Sequence, residues 1–395
     1  MTLLVRVAAI TAADHFIDIT CAHIDSCLWH GQAGLDFARR LAREGARVRV
    51  PTTLNVSSLD LLHPGLFRGD ARTANSAKQL MDTYVGMGCR PTWTCAPYQL
   101  PRRPALGEHI AWAESNAIVF ANSVLGARTD RYGDFIDICA ALTGRVPYSG
   151  LHDPANRRGE MVFRTESLDP RLLAEDTLYP VLGHFIGREC GSAVPVITGL
   201  PPATGEDRLK ALGAAAASSG AVAMFHAVGV TPEAPDLAAA LQSGDAVVVR
   251  VDGAVLRSAR DELSTAVEGP LIAISLGTPH LSFAEFQHLS ALVEGVRFPD
   301  HIDVWASTGR DVLRSAREAG LLAPIEAAGV RIVTDTCTYI TPILRKTDGI
   351  VMTDSAKWAW YAPGNLGVDV VFGSMAECIR SAAAGRIVRD DTLWR

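Results

Sequence analysis

The stretch from Leu271 to His280 reads LIAISLGTPH, an apolar run that ends in small and polar residues. Four further runs of the same kind follow it: HIDVWASTGR (301–310), VRIVTDTC (330–337), GIVMTDS (349–355) and VDVVFGS (368–374). Segments with helical periodicity, such as FAEFQHLSALVEG and MAECIRSAAAG, separate them. This alternation of short strands with helices predicts a parallel sheet that is covered by helices on both faces.

Each predicted strand of this sheet leaves it through a polar loop. The exits are Thr278-Pro279-His280, Ser307-Thr308, Asp335-Thr336-Cys337, Asp354-Ser355 and Gly373-Ser374. The carboxyl ends of parallel strands lie at one edge of a sheet, where α/β proteins bind their ligands. The five exits therefore predict one ligand-binding rim.

Two similar units precede this one along the chain. A helix over residues 34–44 ends at Gly45, and ARVRVP then predicts a strand over 46–51. From about residue 175 the pattern of helix, glycine and strand recurs, with Thr231 predicted to cap a helix that begins at Pro232. We expect an α/β protein of three domains. Their predicted bounds are 1–165, 166–265 and 266–395.

Composition excludes several classes of function. Of the 395 residues, 48% are hydrophobic and 20% are charged, and the net charge is −6 with the two signs intermixed. Nucleic-acid binding requires a basic stripe, which is absent, so we exclude that partner. No apolar run is long enough for a membrane span, and the first residues lack a signal-peptide pattern. We expect a cytoplasmic protein.

Two of the eight cysteines differ from the others. Eight cysteines are too sparse for a disulfide scaffold, so we expect free thiols or metal ligands. Cys95 lies in the polar segment PTWTCAPYQ, and Cys337 lies at a strand exit beside Asp335 and Thr336. Loop thiols that converge from separate domains suit an iron–sulfur site. No Walker loop, Gly-x-Ser-x-Gly elbow or Cys-x-x-Cys pair is present to support another chemistry.

The polar segment around Cys95 extends from Pro91 to Tyr132 and follows almost no amphipathic period. It contains an acid–amide pair and an amide–hydroxyl pair, which are typical of a site rather than of a core. Glu114 in this segment is a candidate acid–base group, although a helix-surface carboxylate would give the same pattern. His23, in the motif HIDSC, is a second candidate, and the alternative is a buried structural histidine beside a capping Asp25.

The motifs HIDSCLWHGQAGLDFARRL, PTTLNV, PTWTCAPYQ, GEHIAWAESNAIVFANSVLGARTDRYGDF, TGRVPYSGLH, DTCTYITPIL and SAKWAWYAPG together resemble the aconitase X family over essentially the whole chain. The resemblance implies a hydro-lyase of three α/β/α domains of the aconitase type around a metal centre. Bacterial members of this family dehydrate cis-3-hydroxy-L-proline to Δ1-pyrroline-2-carboxylate, and archaeal members dehydrate mevalonate 5-phosphate. We therefore expect a cis-3-hydroxy-L-proline dehydratase.

The family also has a small swivelling domain, either fused at the N-terminus or separate. This chain has no room for it, so we expect the large subunit of a two-chain enzyme whose partner is a small swivelling-domain subunit. In relatives of aconitase a serine on the swivelling domain acts as the base. The resemblance thus implies that the base lies outside this chain.

The implied metal ligands are incomplete. Cys95 and Cys337 match family cysteines that hold iron or an iron–sulfur cluster, but Thr278 stands where many members have cysteine. Three alternatives stay open: Cys27 substitutes as a ligand, the cluster is smaller, or a mononuclear iron is held with weaker ligands. A hydroxyl such as that of Thr278 is a poor ligand for a soft iron centre. The sequence does not distinguish 2Fe-2S, 4Fe-4S and mononuclear iron.

Dehydration of a hydroxy amino acid requires an acid, a base and a group that fixes the carboxylate. Our candidate catalytic residues are Glu114, His23 and Lys357. The candidates for substrate binding are Asn55, Ser115, Asn116, Asn122, Ser123, Arg128, Thr129 and Tyr361.

Two rival functions are compatible with the same sequence. One is mevalonate 5-phosphate dehydratase, which requires cations for the phosphate group, and the predicted rim has few Lys or Arg residues. The other is a metal-free subunit that binds a small molecule, which the missing cysteine at Thr278 would allow.

Overall fold

Three parallel sheets, each with its own helices, follow one another along the chain in this computed structural model, which describes residues 1–242 and 246–394. They confirm the predicted α/β class of parallel-sheet units. None of the described helices is both long and apolar enough to cross a bilayer.

The first unit is built around a three-stranded parallel sheet in the order β3-β2-β4. Its elements in chain order are α1 (Thr2–Ile10), β1 (Phe16–Asp18), β2 (Ala22–Ile24), α2 (Gln32–Arg43), β3 (Thr52–Leu54), α3 (Ala71–Gly86), β4 (Ala111–Trp112), α4 (Ser115–Phe120), α5 (Ile136–Thr143) and β5 (Arg145–Pro147). Strands β1 and β5 form a separate antiparallel pair. A π-helical turn over Ala121–Leu125 extends α4.

The strand predicted over residues 46–51 is wrong by several residues, because β3 begins only at Thr52. The backbone N–H groups of Val48 and Arg49 bond to the carbonyls of Met87 and Ala141. Those carbonyls lie at or near the ends of two helices, so the segment is used to satisfy helix termini rather than to extend the sheet.

The second unit has a four-stranded parallel sheet in the order β8-β7-β6-β9. Its elements are β6 (Met161–Arg164), α6 (Pro170–Leu173), α7 (Leu178–Cys190), β7 (Pro195–Thr198), α8 (Glu206–Ser219), β8 (His226–Ala227), α9 (Leu237–Ala240), β9 (Val247–Arg250) and α10 (Gly253–Glu262). Strand β6 falls within the range expected for the first domain, yet it pairs with β7 and β9.

Helices α7 and α8 approach each other closely because glycines of α7 face the backbone of α8. A Cβ atom at Gly183 would lie 2.1 Å from the carbonyl oxygen of Leu212. The helix predicted to begin at Pro232 is wrong. Helix α9 begins at Leu237 and is capped by Asp236, while the Thr231 hydroxyl bonds to the backbone of Ala227.

The third unit confirms the five predicted strands. Its parallel sheet has the order β12-β11-β10-β13-β14. The elements are β10 (Leu271–Leu281), α11 (Phe283–Leu292), β11 (Asp303–Thr308), α12 (Arg310–Glu318), α13 (Leu322–Ala328), β12 (Val330–Val333), β13 (Ile350–Thr353), α14 (Ala356–Leu366), β14 (Asp369–Phe372) and α15 (Met375–Ala384).

The two faces of this third sheet belong to different hydrophobic cores. Ile274 and Val304 pack in a core formed within the third unit. Trp305 and Val351 belong to a core that also contains Tyr179 of the second unit and Trp358 of α14. One face of the third sheet is therefore covered partly by the second unit, and burial of apolar surface fixes the two units together.

Two carboxylates join the first unit to the third. The Asp60 carboxylate accepts hydrogen bonds from the backbone N–H and the hydroxyl of Thr334, each at 2.9 Å. The Asp335 carboxylate accepts one from the Leu61 N–H at 3.0 Å and two from Arg310, at 2.7 and 2.6 Å. We refer to this arrangement as the Asp60–Asp335 clasp. It fixes the position of the loop that carries Cys337.

Candidate active site

The structure brings Cys95, His280 and Cys337 together at the junction of the first and third units. One potential ligand atom from each residue lies within 4.8 Å of the others, and all three side chains are buried. Cys95 lies in a first-unit loop, His280 on β10, and Cys337 in the loop after β12. Two thiols and an imidazole are a donor set that suits iron, so these residues fit an iron or iron–sulfur centre.

His280 is held in a defined orientation. Its Nδ1 lies 3.0 Å from the Thr94 hydroxyl, its Nε2 lies 3.3 Å from the Thr336 carbonyl oxygen, and its backbone N–H donates to Cys95 Sγ at 3.3 Å. Burial lowers the pKa of His280 to about 4. The imidazole is therefore neutral near neutral pH, which is the form that binds metals. We did not single out His280 as a ligand from the sequence, although it follows Thr278-Pro279 at a predicted strand exit.

The two thiols interact directly. A hydrogen bond with Cys95, together with burial, raises the pKa of Cys337 well above its ordinary value. Cys337 therefore keeps its proton when no metal is bound, and a metal ion would have to displace that proton on binding.

Cys27 is not part of this group. Its thiol contacts the carbonyl oxygens of Ile24 and Asn55, each at 3.4 Å, within the apolar core of the first unit. The reason is that β2 ends at Ile24, after which the backbone N–H groups of Asp25 and Ser26 bond to the Asp137 carboxylate. The chain turns there, so Cys27 does not share a direction with His23.

Thr278 lies two residues before His280 on β10. Its hydroxyl is buried and has no hydrogen-bond partner among the described residues. The residue lines a small cavity between the second and third units together with Ser355 and Lys357. The Thr278 hydroxyl thus shares a cavity with Lys357, and this position of β10 offers no thiol.

Glu114 and Lys357 form a buried ion pair next to the thiols. Lys357 Nζ donates to Glu114 Oε1 at 2.5 Å and to the Ser115 hydroxyl at 3.1 Å, and both charged side chains are 5% exposed. Burial alone would lower the pKa of Lys357, but the Glu114 carboxylate, together with the Tyr339 and Cys95 side chains, raises it well above its ordinary value. Lys357 therefore carries a positive charge within the site.

Helix α4 positions Glu114. The Glu114 side chain caps this helix, because Oε2 accepts the backbone N–H of Ala117 at 2.8 Å. The Asn116 amide donates to the Cys95 carbonyl at 2.9 Å and to Glu114 Oε2, and its oxygen accepts from Tyr98. Asn116 therefore connects the acid to the loop of Cys95, and its amide is fully occupied by protein partners.

Asn55, Asp25 and Glu114 lie at the carboxyl ends of the three strands β3, β2 and β4. The Asn55 amide N–H donates to the Asp25 carboxylate, and Asn55 Oδ1 is buried with no partner among the described residues. Burial and the Glu114 carboxylate raise the pKa of Asp25 to about 7. Asp25 is therefore a candidate site residue, whereas the sequence pattern indicated it only as a cap.

His23 lies on β2 beside this row. Its Nδ1 is 2.8 Å from the Thr53 hydroxyl, and its Nε2 has no partner among the described residues. Burial lowers the pKa of His23 to about 3, so the ring is neutral. Tyr361 of α14, one turn after Lys357, stacks on Tyr339 with ring centroids 5.6 Å apart.

Three other predicted substrate-binding residues, Asn122, Ser123 and Thr129, have protein partners elsewhere, and a fourth, Arg128, lies away from the thiol group. The Asn122 amide bonds to the Thr129 and Ala223 carbonyls and accepts from buried Arg157. The Ser123 hydroxyl accepts from Phe225 N–H, and the Thr129 hydroxyl accepts from Trp112 N–H. These three side chains join the first unit to the second or close the end of β4. The Arg128 Nε has no partner among the described residues, and its charge acts on His109 and His152 rather than on the thiol group.

Comparison with known proteins places this geometry in a family. Family models for the first, second and third domains of aconitase X match residues 1–155, 159–261 and 271–384. A crystal structure of Thermococcus kodakaraensis aconitase X in the holo form superimposes with a TM-score of 0.86. It is 30% identical and covers 96% of this chain and 94% of its own.

Curated relatives are dehydratases. The chain is 44% identical over 391 residues to cis-3-hydroxy-L-proline dehydratase of Pseudomonas aeruginosa and 42% identical over 398 residues to that of Hypocrea jecorina. Each alignment covers 98% of this chain, but this chain spans only 67% of the length of the first relative and 65% of the second. The phosphomevalonate dehydratase large subunit of Methanothermobacter thermautotrophicus is 36% identical over 388 residues, which are 96% of this chain and 93% of that subunit. The chain belongs to the aconitase X family.

Proposed function

We propose that this chain is the large subunit of a hydro-lyase that converts cis-3-hydroxy-L-proline to Δ1-pyrroline-2-carboxylate. The two relatives with that activity are more similar to it, at 44% and 42% identity, than the 36% identical phosphomevalonate dehydratase subunit. The single structural observation that carries the proposal is the buried Glu114–Lys357 pair beside Cys95 and Cys337. In this proposal Glu114 is an acid–base group and Lys357 a fixed cation, next to three side chains that are suited to bind a metal.

The reaction removes the proton on Cα and the hydroxyl on the neighbouring carbon. Water leaves, a carbon–carbon double bond forms, and the resulting enamine tautomerises to the ring imine. The site must therefore hold the substrate carboxylate, move a proton and assist departure of hydroxide.

Lys357 is suited to hold the carboxylate. Its ammonium is oriented by Glu114 and Ser115 and is shielded from water, so its attraction for an anion is stronger than at a protein surface. Glu114, at the start of α4, is the acid–base group of this chain. An iron or iron–sulfur centre held by Cys95, His280 and Cys337 would supply a Lewis acid for the leaving hydroxide.

We propose that a small swivelling-domain subunit completes the site and provides the base that removes the Cα proton. The naming of the archaeal relatives as large subunits supports such a partner. A reducing cytoplasm suits the chain, because all eight cysteines are buried and free of disulfides.

The test is a reconstitution under anaerobic conditions. The chain is co-purified with the small subunit, loaded with iron and sulfide, and assayed for water loss from cis-3-hydroxy-L-proline and, separately, from mevalonate 5-phosphate. We expect turnover of the hydroxyproline and none of the phosphate ester. Turnover of mevalonate 5-phosphate alone, or of neither substrate by a metal-loaded complex, would refute the proposal.

A further inference from the structure

The row of polar side chains on the first sheet contains a carboxyl group that lacks a cation. Because the sheet order is β3-β2-β4, Asp25 at the end of β2 lies between Asn55 at the end of β3 and Glu114 after β4. Glu114 has Lys357 as its partner. Asp25 forms no ion pair with any Lys, Arg or His in the described part of the chain, and its side-chain partner is the Asn55 amide.

Two fully buried carboxylates of the first and third units are satisfied within the protein. Asp335 pairs with Arg310, and Asp137, which has no ion-pair partner among the described residues, accepts hydrogen bonds from the Asp25 and Ser26 N–H groups and from the Ser26 hydroxyl. His23 on the same strand as Asp25 supplies no charge, since burial keeps its ring neutral. A half-buried carboxyl group without a cation is costly to ionise, which accords with the raised pKa of Asp25, and groups with such raised pKa values are enriched at functional sites.

A second acceptor accompanies Asp25. Asn55 is 2% exposed, and its amide N–H is directed at Asp25. Its Oδ1 has no donor at full hydrogen-bond geometry among the described residues, although the Asn55 side chain interacts with the His23 ring and raises the pKa of that ring. An unsatisfied buried carbonyl oxygen is as unusual as an unpaired carboxyl, because each forfeits the hydrogen bonds that it would make in water. The Asp25 carboxyl group and Asn55 Oδ1 are therefore two adjacent acceptors that could bind a positively charged N–H donor.

We propose that Asp25 and Asn55 form the subsite that binds the ring ammonium group of a cyclic amino-acid substrate. A secondary ammonium has two N–H donors and one positive charge, which matches one carboxylate and one amide oxygen. Lys357 would bind the carboxylate of the zwitterionic substrate, and Asp25 would bind its ammonium group, so each end would meet a group of opposite charge. This inference rests on the proposed function and extends it, since mevalonate 5-phosphate has no nitrogen to occupy the subsite.

The test compares two ligands that differ only in the nitrogen. L-Proline and cyclopentanecarboxylate both lack the hydroxyl that is eliminated, so both bind without turnover. Binding to the metal-loaded two-subunit complex is measured by calorimetry. We expect L-proline to bind at least about tenfold more tightly, because a hydrogen bond to a charged group is worth about ten- to a hundredfold. If the unmodified complex binds L-proline and cyclopentanecarboxylate equally tightly, the proposal is overturned, and no variant is needed to show it.

Asp25→Asn should reduce the preference for L-proline to within about twofold while leaving cyclopentanecarboxylate binding unchanged. Asp25→Glu, which keeps the charge, should restore part of the preference. Asp18→Asn is the matched control, because Asp18 is 79% exposed and pairs with Arg145 at the surface. A preference that survives Asp25→Asn in a folded complex would overturn the proposal.

The outcomes separate the subsite from the activity. If the complex dehydrates cis-3-hydroxy-L-proline but Asp25→Asn leaves kcat/KM within about twofold, the subsite is refuted and the activity stands. If the complex fails to dehydrate it but loses its preference for L-proline on Asp25→Asn, the activity is refuted and the subsite stands for another cyclic amine.

Discussion

Lys357 and Glu114 are 243 residues apart in the chain and meet at 2.5 Å across the junction of the third and first units. The sheet of each unit positions its own member of the pair. Glu114 follows β4, and Lys357 lies in the first turn of α14, after β13. The pair therefore forms only when the two units are docked correctly.

Lys357→Met should destabilise the metal-free chain by about 3–5 kcal/mol, because it leaves the Glu114 carboxylate buried without its cation. The measurement is denaturant unfolding at neutral pH. Lys78→Met provides the control. Lys78 forms an exposed pair with Asp82, and its loss should cost at most about 1 kcal/mol. Equal effects of the two substitutions would contradict the buried pair.

Cys95→Ser and Cys337→Ser should each remove most of the iron from anaerobically purified protein, because each takes one thiolate from the Cys95–His280–Cys337 group. Iron content is measured by elemental mass spectrometry. Sulfide content is measured as the sulfide that acid releases. Cys27→Ser and Cys190→Ser should leave both values unchanged, since Cys27 lies in the first-unit core and Cys190 ends α7. Loss of iron on Cys27→Ser would instead restore Cys27 as a ligand.

Thr278→Cys should increase the iron and sulfide content per chain. Thr278 is on the same strand as His280, and its buried hydroxyl has no hydrogen-bond partner to lose within the described part of the chain. A thiolate binds iron far better than a hydroxyl does. Thr353→Cys on β13 is the control, because the Thr353 hydroxyl donates to the Ser275 carbonyl in the third-unit core. The same metal content in both variants would show that position 278 does not reach the centre.

His152 should contribute a loss of stability as the pH is lowered from 7 to 5, while carboxyl groups with raised pKa values, such as Asp25, act in the opposite sense. Burial lowers the pKa of His152 to about 3, from 6.5 in the unfolded chain. The unfolded state thus takes up a proton below pH 6.5 that the folded state refuses, and stability is lost as pH falls from 6.5 toward 3. Between pH 7 and 5 this amounts to about 2 kcal/mol from this residue.

His152→Gln should therefore raise the unfolding free energy at pH 5, relative to that at pH 7, by about 2 kcal/mol compared with the unmodified chain, whatever its effect on stability at pH 7. The metal-free chain is used, and unfolding is followed at pH 7, 6 and 5. His15→Gln is the control. The His15 side chain is 53% exposed, and within the described residues its one ion-pair contact is with the exposed Asp14. An unchanged slope in His152→Gln would mean that His152 is not kept neutral by the fold.

Sequence pattern predicted the third sheet well because its strands are buried on both faces. Runs such as IVMT at 350–353 and DVVF at 369–372 are continuous Val- and Ile-rich segments, and helices of regular period separate them. The first sheet offers no such signal. Its strands AHI, TTL and AW have two or three residues, so only tertiary contacts define them.

The site was predictable in part for the same reason. Strand exits and the resemblance to a family singled out Cys95, Cys337, Glu114 and Lys357, which the structure brings together. They did not distinguish Asn116 at the site from Asn122, which bonds to Arg157 and to the second unit. An amide looks the same in sequence whether its partner is a ligand or a buried arginine. The role of Asp25 depends on the absence of a cation around it, which no local pattern encodes.

The Cys95–His280–Cys337 group draws its side chains from two units that are also held by the Asp60–Asp335 clasp. An ion bound there would contact both units, so its binding free energy would also be free energy of their association. Binding of such an ion and docking of the first unit on the third would therefore be thermodynamically linked. A substitution that weakens the clasp would lower the affinity for iron, and loss of iron would loosen the first unit from the third.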